Sequence, residues 1–132
     1  ILGVLAVAAL PQLFGVSLTT ARTNAMKATA AAVQTGLSLY AANQMAQGLA
    51  ASYPATLDAV TGAAAPGVLA TGTAPFFNNV LQNGVTGQWL KLASGTCYVY
   101  DNDGSGGTNA GDLYFVYTPA AGTFLQQVAA CT

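Results

Sequence analysis

A chain of 132 residues has room for one domain and one core. Hydrophobic residues make up 53% and charged residues 5%, against about 25% charged in an average soluble domain. That balance excludes a disordered chain, and with so little charge to keep copies apart, self-association is the natural state.

The opening stretch, residues 1–12, reads ILGVLAVAALPQ, ten residues without a polar side chain running into Pro11. It is half of the roughly 20 apolar residues that span a bilayer, and too apolar to sit free in water. It is therefore expected to be buried in a membrane, in other copies of the chain, or in each in turn. From residue 1 to about residue 50 the only interruptions read are Pro11 and the isolated Gly3, Gly15 and Gly36. Alanine-rich sequence, the best helix former, fills the rest. Met26, Ala30, Val33, Leu37, Tyr40 and Ala41 recur at spacings of three and four and mark one apolar stripe. Asn24, Lys27, Gln34, Ser38 and Asn43 occupy the opposite face.

This predicts one helix over residues 1–52, about 75 Å long. Its first half, 1–21, is expected to project beyond the fold, and 22–52 to pack on a head formed by 53–132. Pro11 lies inside the helix, where it cannot donate to the carbonyl of Val7, at a cost of about 3 kcal/mol. A kink or an unwound segment between Gly3 and Pro11 is expected.

Beyond Ser52-Tyr53-Pro54, residues 56–60 read as a turn or two of helix ended by Gly62. Residues 63–75 read as an irregular connector, and 76–82 as another short helix stopped by Asn83-Gly84. From Trp89 the period becomes two. Residues 89–92, 96–100, 113–118 and 123–128 read as four strands of an antiparallel meander. The fold class is α+β, with one face of the sheet against the helix stripe.

Cys97 and Cys131 lack a histidine to complete a zinc site, and in an exported protein they read as one disulfide. It would close a loop of about 35 residues and contribute about 3–4 kcal/mol by the chain-entropy argument. Two unpaired buried thiols are the alternative.

Three of the four acidic residues fall in 101–112, DNDGSGGTNAGD. A calcium loop wants oxygen ligands at positions 1, 3, 5, 9 and 12, a carbonyl at 7 and glycine at 6. Asp101, Asp103, Ser105, Asn109, Asp112, the Gly107 carbonyl and Gly106 fill those places. Carboxylates held this close repel one another unless a cation neutralises them. A solvated hairpin tip of turn-forming residues is the alternative. Catalysis finds no footing: with no His and no Glu, a Ser or Cys nucleophile lacks its usual base. Arg22, Lys27 and Lys91 make no basic patch for nucleic acid.

The run ILGVLAVAALPQ, with Gly3 and Pro11 eight residues apart, closely resembles the N-terminal segment of type IV pilins and pseudopilins. The order of long helix, connector, antiparallel sheet and C-terminal cysteine is similar to theirs, as is YPATLDAV at 53–60. The resemblance implies the type IV pilin fold, a long helix on a four-stranded sheet. It also implies assembly through Leu2, Val4, Leu5, Val7, Leu10, Leu13 and Phe14, with the Gly3 to Pro11 segment melting on polymerisation. Some members use a structural calcium in the sheet region.

The family's methylated Phe and nearby Glu would lie before Ile1, in about eleven further residues of a processed segment. The function implied is the major subunit of an extracellular filament, with itself, the inner membrane and the assembly machinery as partners. The alternatives are a pseudopilin of a secretion or competence system, and a membrane-tethered calcium-dependent binding module that never polymerises.

Overall fold

A computed structural model describes residues 2–102, 104–108 and 111–132, with side chains from residue 20 onward. Helix α1 (Leu2–Ala46) comprises 45 residues, about 67 Å at the usual rise. It runs through Gly3 and Pro11 as helix, so the unwound segment expected there is not present. One missing donor leaves the rest of the ladder in place, and the alanines and leucines around Pro11 propagate a helix that is already nucleated.

The helix ends at Ala46, short of the expected residue 52. Gly48 takes a φ of +81°. Leu49 N–H bonds the Gln44 carbonyl at 3.0 Å and Gly48 N–H the Met45 carbonyl at 3.0 Å. These are the paired bonds of a Schellman cap, which a glycine in the left-handed region makes favourable.

The apolar stripe faces the core as read. Met26, Val33, Leu37 and Ala41 are buried, with Ala30 and Tyr40 partly so. Gly36 belongs to this face: a Cβ there would stand 2.4 Å from the Val80 carbonyl oxygen, so the helix and the connector approach as backbones. Gln34, expected on the outer face, turns inward. Its Nε2 donates to the Gly122 carbonyl at 2.9 Å and its Oε1 accepts from Phe124 N–H at 3.1 Å. The amide thereby satisfies a donor and an acceptor that an edge strand leaves open.

The sheet has five strands in the order β1-β2-β3-β4-β5, all antiparallel. They are β1 (Val68–Leu69), β2 (Trp89–Lys91), β3 (Cys97–Tyr100), β4 (Leu113–Thr118) and β5 (Thr123–Gln127). The extra strand, β1, lies in the stretch read as an irregular connector. Two residues are too few to show a period, and β1 is held by its pairing to Lys91 and Leu90. The short helices expected at 56–60 and 76–82 do not form. The first is a series of bends, and the second opens with a bridge from Phe76 to Val85 and continues as a turn. Phe77 sits there at φ +62°, a conformation costly for a bulky residue.

Alternation sorts the sheet into two buried faces. On the helix side, Trp89, Tyr98, Tyr100, Phe115, Tyr117 and Phe124 join Phe76, Phe77 and the helix stripe. Edge-to-face contacts dominate, with Phe77 to Trp89 at 5.2 Å and Phe77 to Phe124 at 5.3 Å, and Phe115 stacks on Phe124 at 5.1 Å. Such pairs add about 0.5–1.5 kcal/mol each beyond their burial. On the far side, Leu90, Leu92, Cys97 and Val99 form a second cluster with Tyr114 and Cys131.

Candidate functional site

Three places carry chemistry: a buried polar hub, the acidic hairpin tip and the N-terminal half of α1. No sequence motif marks the hub. Asp58, the one acid outside the tip, is 1% exposed, and Lys91 2%. Lys91 Nζ lies 2.6 Å from Asp58 Oδ1 and donates at 2.6 Å to the Val60 carbonyl. Asp58 Oδ1 also accepts from Val60 N–H at 3.1 Å. Its Oδ2 accepts from the Tyr98 hydroxyl at 2.7 Å and from Phe77 N–H at 3.3 Å. Both carboxylate oxygens therefore carry two donors, the condition for keeping a charge in a dry interior.

Strand period puts Lys91 there. Trp89 and Lys91 share one face of β2, and Lys91 pairs with Tyr98 across β3. Lys91 Nζ lies 5.4 Å from the Tyr98 ring centroid, within cation–π range. Burial, reinforced by the facing Asp58 carboxylate, holds the Tyr98 hydroxyl protonated far above its usual range. Burial likewise pushes the Tyr117 hydroxyl, bonded to the Pro54 carbonyl, up to about 12. A lysine inside a strand between Trp89-Leu90 and Leu92 was the available signal.

At the hairpin tip the loop folds around its first residue. The Asp101 carboxylate accepts N–H bonds from Gly104 at 3.1 Å, Ser105 at 3.2 Å and Gly106 at 2.7 Å. Asp112 Oδ1 accepts from Asn102 N–H at 3.0 Å, so the loop's two ends meet. Asp101 and Asp112 are buried. Ser105 Oγ and Gly107 bond each other, Oγ to the carbonyl at 3.3 Å and N–H to Oγ at 3.4 Å. Arg22 reaches over from α1 to the Asn102 carbonyl at 3.0 Å. Asn102 Oδ1 is buried with no hydrogen-bond partner among the described residues. Asp103 and Asn109 lie outside the described residues. Among the described residues no group of three or more His, Cys, Asp or Glu is placed to hold a metal.

Leu2, Val4, Leu5, Val7, Leu10, Leu13 and Phe14, together with Gly3 and Pro11, lie on the helical backbone of α1. Their side chains lie outside the described residues. Among the described residues no helix is long and apolar enough to cross a membrane. Cys97 and Cys131 are joined, their Cα atoms 5.8 Å apart.

Of the three basic and four acidic side chains, Asp58, Lys91, Asp101 and Asp112 are buried. Arg22 is half-buried on the tip loop and Lys27 is exposed. The described surface is thus almost free of charge, while Leu39, Met45, Leu49, Leu125 and Val128 stand exposed. Comparison of the chain with family models, with curated proteins and with solved structures finds no match.

Proposed function

We propose that the chain is the repeating structural subunit of an extracellular filament of the type IV pilus kind, polymerising through the N-terminal half of α1. The observation that carries this reading is one 45-residue helix whose core-facing stripe, among the described residues, runs from 26 to 41, preceded in sequence by the uncharged run 1–16. Apolar surface on that scale needs a partner. The weakly charged head favours dense packing of copies, because little repulsion opposes it. The α+β head, a five-stranded antiparallel sheet beside the helix, is compatible with a pilin-type fold.

The test compares the full-length protein, expressed with a filament-assembly machinery, with a Leu5→Asp, Leu10→Asp double variant. Filaments are counted by electron microscopy and the subunit by sedimentation. Wild type is expected to pellet as fibres and the variant to remain monomeric with an unchanged near-ultraviolet circular dichroism spectrum. A wild type that stays monomeric, or a variant that assembles as well, overturns the reading.

The tip loop is proposed to bind calcium within the same subunit. Asn102 Oδ1, without a partner among the described residues, and the two buried carboxylates at the joined ends of the loop are the features that fit a cation. Asp101, Asp103, Ser105, Asn109, Asp112 and the Gly107 carbonyl would hold it. Calcium, when bound, supplies positive charge that offsets carboxylate repulsion. The chain's own part is to wrap three N–H groups on Asp101 and to close the loop through Asp112. Excess calcium at about 100 times Kd is expected to stabilise the fold by about 2.7 kcal/mol. Thermal melts with calcium and with chelator check this, and coincident melts would remove calcium from the proposal.

A further inference from the structure

Lys91 and Asp58 are two complementary reactive groups in contact, 2% and 1% exposed, with the Tyr98 ring beside the ammonium. We propose that they condense into an intramolecular isopeptide bond, an amide between Lys91 Nζ and Asp58 Cγ formed with release of one water.

Geometry supplies each part of the reaction. Lys91 Nζ is 2.6 Å from Asp58 Oδ1, so one proton can pass from the ammonium to that oxygen and leave an amine facing a carboxylic acid. That transfer runs along the existing hydrogen bond, so neither side chain has to move for it. The amine lone pair then attacks Cγ, and the displaced π pair moves onto Oδ2. That oxygen already accepts from the Tyr98 hydroxyl at 2.7 Å and Phe77 N–H at 3.3 Å, a preformed pair of donors for the negative charge that develops. A second proton passes from nitrogen to Oδ1, Oδ1 departs as water, and the Oδ2 pair restores the carbonyl. The last N–H stays on the Val60 carbonyl, which accepts from Lys91 at 2.6 Å.

Four features argue that the site suits this chemistry beyond a simple ion pair. Held reactants reach effective molarities of about 10⁵–10⁸ M, and here four hydrogen bonds hold Asp58 and two hold Lys91 in a packed core. In bulk water amide formation is opposed by loss of two hydrated charges, and here that hydration is already gone. The Tyr98 hydroxyl remains protonated under the influence of burial and Asp58, so it donates throughout. Phe77 holds its N–H on Oδ2 from a positive φ, a conformation kept only where surroundings over-determine it.

The bond would tie the connector to β2 across 33 residues. It is independent of filament assembly and would form in the monomer. Its test is the intact mass of the full-length chain, folded, then denatured and reduced. Wild type is expected to be lighter than its sequence by one water, and proteolysis to release a branched peptide joining segments around 58 and 91. Trypsin should fail to cut after Lys91. Asp58→Ala and Lys91→Arg are expected to show their full masses. Tyr98→Phe is expected to lose the water more slowly, with the same branched peptide as product.

A folded wild type of full mass overturns the proposal, whatever the variants do. So does a water loss that maps to an unbranched peptide, as ring closure at Asp103-Gly104 would give.

Discussion

Asp58→Ala is expected to cost the fold about 3–5 kcal/mol, the range for breaking a buried ion pair by removing one partner. The loss has a specific origin. Lys91 would remain 2% exposed with an ammonium whose one remaining acceptor is the Val60 carbonyl. The Tyr98 hydroxyl and the N–H groups of Val60 and Phe77 would lose their acceptor together. Each buried polar group left unmet adds its own desolvation penalty. Phe77 would also lose the hydrogen bond that helps hold its positive φ. Against a total stability of about 5–15 kcal/mol, that is enough to leave a large unfolded fraction.

The measurement is the denaturant midpoint at constant m value, which separates lost stability from a changed unfolded state. Lys91→Met is the informative companion. It removes the charge and fills the volume, but leaves Asp58 with three donors and no cation, so a smaller yet clear loss is expected. An Asp58→Ala variant within about 1 kcal/mol of wild type would show that water reaches the site and pays the deficit. If the amide bond forms in wild type, the measured difference is larger still, since the variant also loses a covalent closure.

Local patterns in the sequence foretold local structure, and long-range pairings escaped it. The stripe Met26 to Ala41 is buried because helical period alone decides which side meets a core. The strand at 113–118 has the bounds read from its alternation. The helix ends earlier than its alanine-rich composition suggests, because Gly48 at φ +81° makes a local cap that outweighs the helix propensity beyond it. β1 was missed for a different reason: Val68 and Leu69 are strand only through their neighbours Lys91 and Leu90. Gln34 reads as a solvent-facing residue by period. What turns it inward is the open edge at Gly122 and Phe124, nearly 90 residues along the chain.

The hub shows the same limit more sharply. In a chain with four acids, a cluster of three at 101–112 drew the reading, and the solitary Asp58 drew none. Yet the solitary one is the structural centre, because a lone charge is tolerated in a core only where several donors converge on it. Convergence of Val60, Phe77, Lys91 and Tyr98 is a property of the folded chain. The strand pattern around Lys91 put it on the core face, and a charged residue on such a face asks for a partner.

Replacing Cys97 and Cys131 together by serine is expected to remove about 3–4 kcal/mol, with the damage concentrated at the C-terminus. The cross-link spans 34 residues, long enough for its closure to restrict the unfolded chain appreciably. In the folded state it fixes a segment that has little else. Val128 is fully exposed, and past β5 the backbone makes one bond to the rest of the head among the described residues, Ser94 N–H to the Thr132 carbonyl at 3.2 Å. Cys131 is the residue through which that segment covers Leu90, Leu92, Cys97 and Val99 on the far face of the sheet.

Without the bridge the tail would detach at small cost and expose that cluster, while the aromatic core on the helix side keeps its contacts. Two readouts separate local release from global loss. Limited proteolysis should trim the variant after β5 and leave the chain up to Gln127 intact, and near-ultraviolet circular dichroism, dominated by Trp89 and its neighbours, should change little. A variant that unfolds as a whole at 25 °C would instead place the bridge among the supports of the entire head. Equal stability of reduced and oxidised protein would show that the far-face cluster holds the tail unaided.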